Sequence, residues 1–294
     1  MKIDDLVGGL TYSYRHPRLF LRYIRSRNSP LSIIQHLFAI WGYPVTSNDK
    51  FIQKLKNKHY GRRCFIVGNG PSLRLDDLEK LNEEITIASN RIYVAFKEIS
   101  WRPTYYTVSD HIYAENYAEE IMALNLIKFL PYFLRRYFKK INVANSGELI
   151  YFNPLRNSFR RNGDIEGRFS SNALRGLYAG INVTNVNLQL AYYLGCNPIY
   201  LIGIDGTYKI SQKTRFHPLH KEVIVSEGEN SHFHPDYRKR GETYQRPSLS
   251  VVEAGYRVSK DFLNTQGIKV YNASRSTIIK AFERVNLDDV LNPS

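Results

Sequence analysis

Short β-rich runs alternate with helix-like segments from residue 63 onward, and this alternation constrains the fold more than any other feature. The strand candidates are residues 63–67, 85–88, 104–108, 127–130, 141–143, 198–202 and 269–271. Apolar residues at helical spacing occupy the intervals, most clearly at 183–194 and 251–263. This pattern predicts an α/β fold, a Rossmann-like parallel sheet with helices on both faces. Such sheets bind ligands at the carboxyl ends of their strands, where the strand order reverses.

Charge divides the chain into two parts. Residues 1–63 carry twelve Lys or Arg against three Asp, so most of the net charge of +14 lies there. Within this stretch, Leu19, Phe20 and Tyr23 recur at helical spacing beside Arg18 and Arg22. We predict a basic amphipathic helical extension over residues 1–60 and a nucleotide-binding α/β domain over residues 61–294. The apolar content of 43% is enough for that domain to bury a sizeable core.

The basic extension favours an anionic membrane surface as a partner. Packing of its helices against the main domain is the alternative, and nucleic acid is disfavoured because no recognised nucleic-acid motif accompanies the charge. The first residues lack a secretion signal, and no run reaches the ~18 apolar residues of a membrane span. Cys64 and Cys196 lie in apolar segments and imply no disulfide framework. We expect a cytoplasmic protein, peripheral at the inner face of the cell membrane, and leave a homo-oligomer open.

A glycine turn with the sequence G-N-G-P-S-L, residues 68–73, follows the first strand candidate directly and precedes helix-like residues 75–81. In α/β proteins such turns hold phosphates, because glycine lets the backbone approach a ligand closely and the first helical N–H groups face the anion. We therefore predict that Gly68, Asn69, Gly70 and Ser72 bind a nucleotide. A turn that needs glycine for geometry alone is the alternative.

Polar side chains follow four strand candidates, namely Asn69, Asn90, Asp110 and Asp205. We expect them to converge, because the carboxyl ends of parallel strands share one edge of the sheet. A dinucleotide site requires a third glycine where Leu73 stands and an acidic residue where Asn90 stands, so NAD is disfavoured. A nucleotide is still an expected ligand, because an Asn amide can donate hydrogen bonds to ribose and base edges and accept hydrogen bonds from them.

Residues 206–246 interrupt the alternation with Gly, Pro, His, Lys, Arg and Tyr in little periodicity. A stretch of this length inside a compact domain is typical of a functional lid or a disordered insert, and we favour a lid. The pairs His217-x-x-His220 and His232-x-His234 lack a neighbouring Cys or Glu ligand set of known type. We interpret them as exposed or catalytic loop histidines rather than as zinc ligands.

Five of these segments together resemble a known enzyme superfamily. They are I-V-G-N-G-P-S-L at 66–73, A-S-N-R-I-Y at 88–93, L-A-Y-Y-L-G at 190–195, I-Y-L-I-G-I-D at 199–205 and N-S-H-F at 230–233. Over about residues 63–285 the chain resembles the bacterial sialyltransferases of glycosyltransferase family 42. It is equally similar to a broader group that includes motility-associated glycosyltransferases and 6-hydroxymethylpterin diphosphokinase-like proteins.

The sialyltransferase resemblance implies roles for the nucleotide-binding residues. It implies that Asn69 and Asn90 contact CMP and that tyrosines after the 199–205 strand hold the departing phosphate. Tyr208 is the candidate for the first of these tyrosines, one place off the family position, and the second has no obvious counterpart. Asp205 completes the predicted nucleotide site.

The same resemblance implies that a lid histidine removes the proton of the acceptor. Aligning residues 230–233 with the family pattern puts Asp236 where the family has this histidine. The candidate bases are therefore His232, His234 and Asp236. We favour His232, because it lies in the matching run and imidazole titrates near neutral pH.

The function that we expect is an inverting transfer of a sugar, such as a CMP-activated nonulosonate, to a cell-surface glycan or its lipid-linked precursor. This polysaccharide chemistry requires no cofactor beyond the nucleotide-sugar donor. The alternative is a Mg²⁺-dependent transfer of diphosphate from ATP to a hydroxymethylpterin-like alcohol. Asp110 and Asp205 at adjacent strand ends favour it, because Mg²⁺ that bridges phosphate oxygens takes carboxylate ligands. For Asp205, a helix cap or a hydrogen bond to the glycine turn is the structural alternative.

Overall fold

The computed structural model describes Phe38 and residues 43–144, 146–159, 165–217, 221–246 and 248–292. The strands are β1 (Cys64–Val67), β2 (Ile85–Ser89), β3 (Tyr105–Thr107), β4 (Lys128–Pro131), β5 (Leu149–Phe152), β6 (Pro154–Arg156), β7 (Ser158–Phe159), β8 (Ile165–Glu166), β9 (Leu177–Ala179), β10 (Ile199–Ile202), β11 (Thr214–His217), β12 (Lys221–Val225), β13 (Thr243–Tyr244), β14 (Val270–Asn272) and β15 (Glu283–Arg284). The α-helices are α1 (Ser47–Lys54), α2 (Leu75–Glu79), α3 (His111–Met122), α4 (Arg135–Phe138), α5 (Val183–Leu194), α6 (Leu249–Thr265) and α7 (Leu287–Leu291). Short 3₁₀ helices lie at Asn90–Lys97, Tyr132–Leu134 and Pro235–Tyr237.

Eight strands form one parallel sheet in the order β15-β14-β10-β1-β2-β3-β4-β5. The chain lays down β2 to β5 on one side of β1 and then crosses to the other side with β10. The strand order therefore reverses between β1 and β10, which is where a sheet of this type leaves a crevice for ligands. The predicted α/β fold with a Rossmann-like parallel sheet is confirmed.

Helices cover both faces of this sheet, because its central strands are apolar on both sides. In β1, Cys64 and Ile66 belong to one core cluster, and Phe65 and Val67 belong to the other. The first cluster includes side chains from α1, α5 and α6. The second includes side chains from α2, α3, α4 and α7.

Helix α5 has the bounds that the sequence predicts, and its ends show why. The Asn182 side chain accepts a hydrogen bond from the Asn185 amide at 2.9 Å, which caps the first turn. Gly195 ends the helix with a left-handed φ of 82°, a conformation that glycine adopts without strain. The predicted helix at 251–263 is also confirmed, within the longer α6.

The prediction of a strand at 141–143 is wrong. Ile141 and Val143 are partly buried and pack against the second core cluster from an irregular segment. The fifth strand of the sheet is instead β5, where Leu149 pairs with Lys128 of β4. The apolar side chains at 141–143 are accommodated by packing against the core, so their alternating pattern does not require sheet hydrogen bonds there.

Two insertions depart from the alternation. Residues 153–181 contain the parallel pair β6 and β9 and the antiparallel pair β7 and β8, neither of which the sequence predicts. Residues 206–246, which we call the lid, include an antiparallel three-stranded sheet in the order β11-β12-β13. The lid is thus more ordered than the expectation of little regular structure.

The predicted basic extension at 1–60 falls partly outside the described residues, which omit 1–37 and 39–42. Its described end does not stand apart from the α/β domain. Ile52 and Leu55 are buried in the first core cluster, and the Asn48 side chain hydrogen-bonds both the amide and the carbonyl of Tyr151 in β5. Helix α1, which precedes the predicted boundary, therefore packs as part of the α/β domain.

Within the described part of the chain, no helix combines the length and the apolar character needed to cross a bilayer.

The packing of α1 generates a prediction about stability. Ile52 is 2% exposed, so Ile52→Ala creates a core cavity and should lower the free energy of unfolding by roughly 2 to 5 kcal/mol. Lys54→Ala in the same helix, at an exposed position, should change it by less than about 0.5 kcal/mol. Urea denaturation of both variants measures the difference. Equal, small effects would mean that α1 is a peripheral extension after all.

Candidate functional site

A cleft of about 1290 Å³ lies at the carboxyl edge of the parallel sheet, where the strand order reverses. Its floor includes the residues that follow β1, β2, β3 and β10. The four strand-end residues of the sequence analysis all line it, namely Asn69, Asn90, Asp110 and Asp205. The sheet topology thus brings these four residues to one cleft, as expected.

The amides of the glycine turn make internal hydrogen bonds, which differs from the phosphate-binding role that the sequence predicts. Ser72 donates its amide to Asp205 Oδ2 at 2.7 Å and its hydroxyl to Asp205 Oδ1 at 2.6 Å. The amides of Gly68 and Gly70 donate to the carbonyls of Ile202 and Gly203, both at 2.8 Å. These three amides therefore hold the turn to the chain that leaves β10, rather than standing free for a phosphate. Helix α2 begins only at Leu75, so the turn does not open directly into a helix.

Gly70 is needed because of this arrangement. A Cβ atom there would come within 2.5 Å of Asp205 Cγ. The structural alternative for Asp205, a hydrogen bond to the glycine turn, is thus what the structure contains. Burial raises the pKa of Asp205, and its hydrogen bonds from Ser72 oppose that shift.

The two strand-end asparagines each present a buried amide oxygen without a hydrogen-bond partner among the described residues. Asn69 donates its amide Nδ2 to the carbonyl of Ser89 at 3.1 Å, which orients its Oδ1. Asn90 adopts a left-handed φ of 55°, a conformation that Asn tolerates better than most residues. Buried acceptors of this kind cost free energy unless a ligand or water pairs with them. Because both residues line the cleft, they are the clearest candidates for ligand contacts.

Asp110 and Asp205 do not meet a further acid, histidine or cysteine in the arrangement of a metal cluster, as far as the described residues extend. Asp110 caps α3 by accepting a hydrogen bond from the Ile112 amide at 2.6 Å. Both residues line the cleft, but β1 and β2 lie between the strands that they follow, so the expectation of adjacent strand ends is wrong. They could hold a cation only together with oxygens that a substrate supplies.

The lid covers the cleft and is attached to the sheet edge by direct hydrogen bonds. Within the lid, the amide of Lys209 donates to the hydroxyl of Ser231 at 2.8 Å. The amide of Phe233 donates to the carbonyl of Asn69 at 3.1 Å, which joins the lid to the glycine turn. Val223 and Tyr244 of the lid sheet line the cleft as well.

Of the three candidate bases, His232 is the one that lines the cleft. Its ring stacks on the Tyr237 ring, with centroids 3.9 Å apart and planes 13° from parallel. Desolvation, followed by the charges of Arg238 and Arg91, lowers the pKa of His232 to about 2. The imidazole is therefore neutral at pH 7 and can accept a proton, although nearby cations oppose its protonation.

His234 and Asp236 are not among the described residues that line the cleft. His234 is buried, contacts Glu98 Oε1 through Nε2 at 2.6 Å, and accepts a hydrogen bond from the Asp236 amide at 3.1 Å. It thus caps the 3₁₀ helix Pro235–Tyr237. The Asp236 side chain is exposed. Neither position favours a role as the base.

Tyr208 lines the cleft, and its ring lies 5.5 Å from the guanidinium of Arg246. Arg238 lies 3.6 Å over the ring of Tyr244, and its Nη2 contacts the hydroxyl of Tyr113 at 3.5 Å. Sequence reasoning missed Arg238 and Arg246. The only available signal was the basic composition of the lid, which does not say which cations face inward.

The loop before α5 was also missed. Gly180, Ile181 and Asn182 line the cleft and lead into the first turn of α5. On the same wall, Leu249, Val252 and Tyr256 of α6 add an apolar surface. Sequence analysis identified both helices but not their first turns as part of the site.

Comparison with known proteins gives a family. A family model described as "6-hydroxymethylpterin diphosphokinase MptE-like" matches residues 43–211, more than half of the chain. The chain belongs to the MptE-like family. The match includes Asn69, Asn90, Asp110, Asp205 and Tyr208, and it ends before His232. No curated protein matches this MptE-like chain.

Among solved structures, the MptE-like chain is similar to the MAf glycosyltransferase from Magnetospirillum magneticum AMB-1. The identity is 17% and the TM-score 0.45, and the match covers 82% of this chain but 38% of the glycosyltransferase. The MptE-like match by itself confirms the suspected superfamily, which includes the 6-hydroxymethylpterin diphosphokinase-like proteins.

The Asp205 hydrogen bonds generate a prediction that separates a structural role from a metal-binding one. Asp205→Ala removes both acceptors of Ser72 and should lower the free energy of unfolding by about 1 to 3 kcal/mol. Asp205→Asn keeps an amide oxygen for the Ser72 amide and should lower it by less. Thermal denaturation without nucleotide or metal measures both. If Asp205→Ala is as stable as the wild type, the carboxylate is not a structural clamp.

Proposed function

We propose that the protein is a glycosyltransferase that transfers a sugar from a nucleotide-activated donor to an acceptor hydroxyl. The observation that carries this proposal is the pair of unpartnered amide oxygens of Asn69 and Asn90 in the cleft. Ribose hydroxyls and the exocyclic amino group of a base are donors that pair with such oxygens. Both asparagines follow strands next to the point where the strand order reverses, the usual place of a nucleotide in such sheets.

The lid provides the complementary groups for the rest of a nucleotide-sugar. Arg238 and Arg246 line the cleft, and a guanidinium binds phosphate oxygens through a planar pair of N–H donors. Tyr208 stands beside Arg246 at the same wall. These three residues would bind the phosphate and stabilise the negative charge that it gains when the sugar departs.

His232 is the general base of the proposal. A neutral imidazole accepts the proton of the acceptor hydroxyl as that oxygen attacks the sugar carbon and the bond to the phosphate breaks. The stacked Tyr237 ring fixes the plane of the imidazole. Direct displacement of this kind inverts the configuration at the sugar carbon. A CMP-activated nonulosonate is the donor that the family 42 resemblance favours, and a cell-surface glycan or lipid-linked precursor is the acceptor.

A second candidate is the diphosphate transfer that the family description names for its own members, from ATP to a hydroxymethylpterin-like alcohol. Asp110 favours it, because this residue lines the cleft and a carboxylate could hold Mg²⁺ together with triphosphate oxygens. The bound metal would neutralise charge on the transferring phosphates. Asp205 is the weaker ligand, since both of its oxygens accept hydrogen bonds from Ser72.

A ligand panel distinguishes the two candidates. A ligand that binds only the folded state raises its melting temperature, so we expect CMP or another sugar-donor nucleotide to do so without metal. The panel compares CMP, UDP, GDP and ATP, each with and without Mg²⁺. Stabilisation by ATP that depends on Mg²⁺, with none by the other three, would favour diphosphate transfer.

The asparagines should determine the affinity for that nucleotide. Asn69→Ala and Asn90→Gly should each weaken binding by roughly twofold to tenfold, the effect of one lost hydrogen bond of about 0.5 to 1.5 kcal/mol. Glycine is the sharper replacement at residue 90, because it keeps the left-handed φ while removing the amide. Titration calorimetry measures the affinities. Unchanged binding in both variants would contradict a nucleotide at this edge of the sheet.

Loss of the general base should lower the turnover rate without weakening donor binding. His232→Ala should lower kcat by ~10² to 10⁴ and leave the donor dissociation constant nearly unchanged. His234→Ala is the matched control, since that histidine contacts Glu98 away from the cleft lining and should affect stability more than kcat. A larger loss of kcat in His234→Ala than in His232→Ala would overturn this assignment.

A further inference from the structure

Arg91 is a buried cation for which the predicted chemistry has no role. It follows Asn90 in the A-S-N-R-I-Y run, is 4% exposed, and is not part of the described cleft lining. Burying a guanidinium is costly unless it is paired and hydrogen-bonded. Its partners should therefore show what the burial achieves.

Those partners belong mainly to the lid. Arg91 Nη1 donates to the backbone carbonyl of Tyr237 at 2.6 Å and lies 3.4 Å from Glu242 Oε2. Its guanidinium carbon stands 4.3 Å over the ring of Tyr117 in α3, which is part of the sheet domain. The Glu242 carboxylate also accepts a hydrogen bond from the Lys239 amide at 2.8 Å. One buried side chain thus joins α3 to two points of the lid.

The first of these points leads directly to the candidate base. Tyr237 is the residue whose ring stacks on His232, so the Arg91 contact holds the backbone that carries this ring. The hydroxyl of Tyr237 is held in turn by Tyr113 of α3 at 3.1 Å. The tyrosine is therefore fixed at both its main chain and its ring end.

The other end of the connection is the nucleotide site. Arg91 is the next residue after Asn90, which lines the cleft and whose carbonyl accepts the Tyr106 hydroxyl. The chain at residues 90 and 91 thus places a donor contact and a lid contact side by side. Because the two residues are consecutive, a shift of the backbone at one of them also displaces the other.

We propose that Arg91 is a positioning residue that holds the lid in register over the cleft, so that Tyr237 presents His232 to the reacting groups. The role of His232 in this statement rests on the proposed function, whereas the anchoring of the lid does not. Arg91 acts through Tyr237 and Glu242 and touches no substrate itself.

Another arginine of the same region provides a matched control. Arg102 stacks 4.3 Å over the ring of Phe96, which belongs to the same 3₁₀ helix as Arg91. It donates to the carbonyls of Phe96, Ile99 and Trp101 at 2.7 to 2.9 Å. The carbonyls that accept its hydrogen bonds all lie in residues 96–101 of the described chain, so Arg102 shares the chemistry of Arg91 without the connection to the lid.

Trypsin under native conditions tests the anchoring, because Lys239 and Arg240 are exposed cleavage sites within the lid. We expect Arg91→Met to increase cleavage after these residues by roughly tenfold or more, as the lid opens more often. Arg102→Met should leave this rate within about twofold of the wild type. Arg91→Lys keeps the charge but replaces the planar fork with a single ammonium, and it should give an intermediate rate. This variant keeps the test decisive if Arg91→Met does not fold.

The NMR titration of the His232 imidazole is the second readout, and a merely structural arginine would not move it selectively. In the wild type and in Arg102→Met the ring should stay neutral through mildly acidic pH. In Arg91→Met its pKa should move toward the ordinary value near 6.5, because a looser lid admits water and one cation is gone.

Two outcomes would overturn the proposal. One is unchanged lid cleavage and an unchanged His232 titration in both Arg91 variants. The other is equal acceleration of cleavage in Arg91→Met and Arg102→Met, which would indicate general destabilisation. Selective loosening in a protein that binds no nucleotide would support the anchor and overturn the proposed function instead.

Discussion

The site depends on one contact across the point where the strand order reverses, the clamp between Asp205 and Ser72. β1 and β10 are neighbours, but the segments that follow them lead to opposite sides of the sheet. Two hydrogen bonds at 2.6 and 2.7 Å hold these diverging segments together. The missing Cβ of Gly70 lets the carboxylate approach the turn. Together with the hydrogen bonds of the Gly68 and Gly70 amides, this clamp fixes the edge of the crevice that carries Asn69.

The clamped turn is also one of the places where the lid is attached to the sheet domain. Asn69 lies between the two glycines of the clamped turn, and its carbonyl accepts the amide of Phe233. The lid is therefore attached to the same few residues that present the predicted nucleotide contact. A second attachment, through Arg91, reaches Tyr237 from the adjacent strand end. Donor site and lid share their supports, so a shift in one is transmitted to the other through rigid neighbours.

The sequence predicts the strand-end residues of this site much better than the residues of the lid. Asn69, Asn90, Asp110 and Asp205 converge because each directly follows a strand, and parallel strands end at a common edge. The lid follows no such rule, since β11, β12 and β13 pair over a segment without a clear period of two. His232 and His234 lie two residues apart, yet one stacks on Tyr237 in the cleft and the other contacts Glu98. That difference arises from long-range packing and has no local sequence signal. The packing of α1 was left open for a related reason, because its apolar residues do not reveal which surface they cover.

The electrostatics of the lid connect substrate binding with proton transfer. Desolvation, and to a lesser extent the charges of Arg238 and Arg91, keeps the His232 imidazole neutral. An anionic phosphate bound beside Arg238 would offset that positive charge and raise the affinity of the imidazole for a proton. Donor binding would then make the imidazole a stronger base, and a lid over the cleft would keep out water that could otherwise accept the sugar. In the proposed mechanism, Arg238 would both bind the departing phosphate and influence the proton affinity of His232.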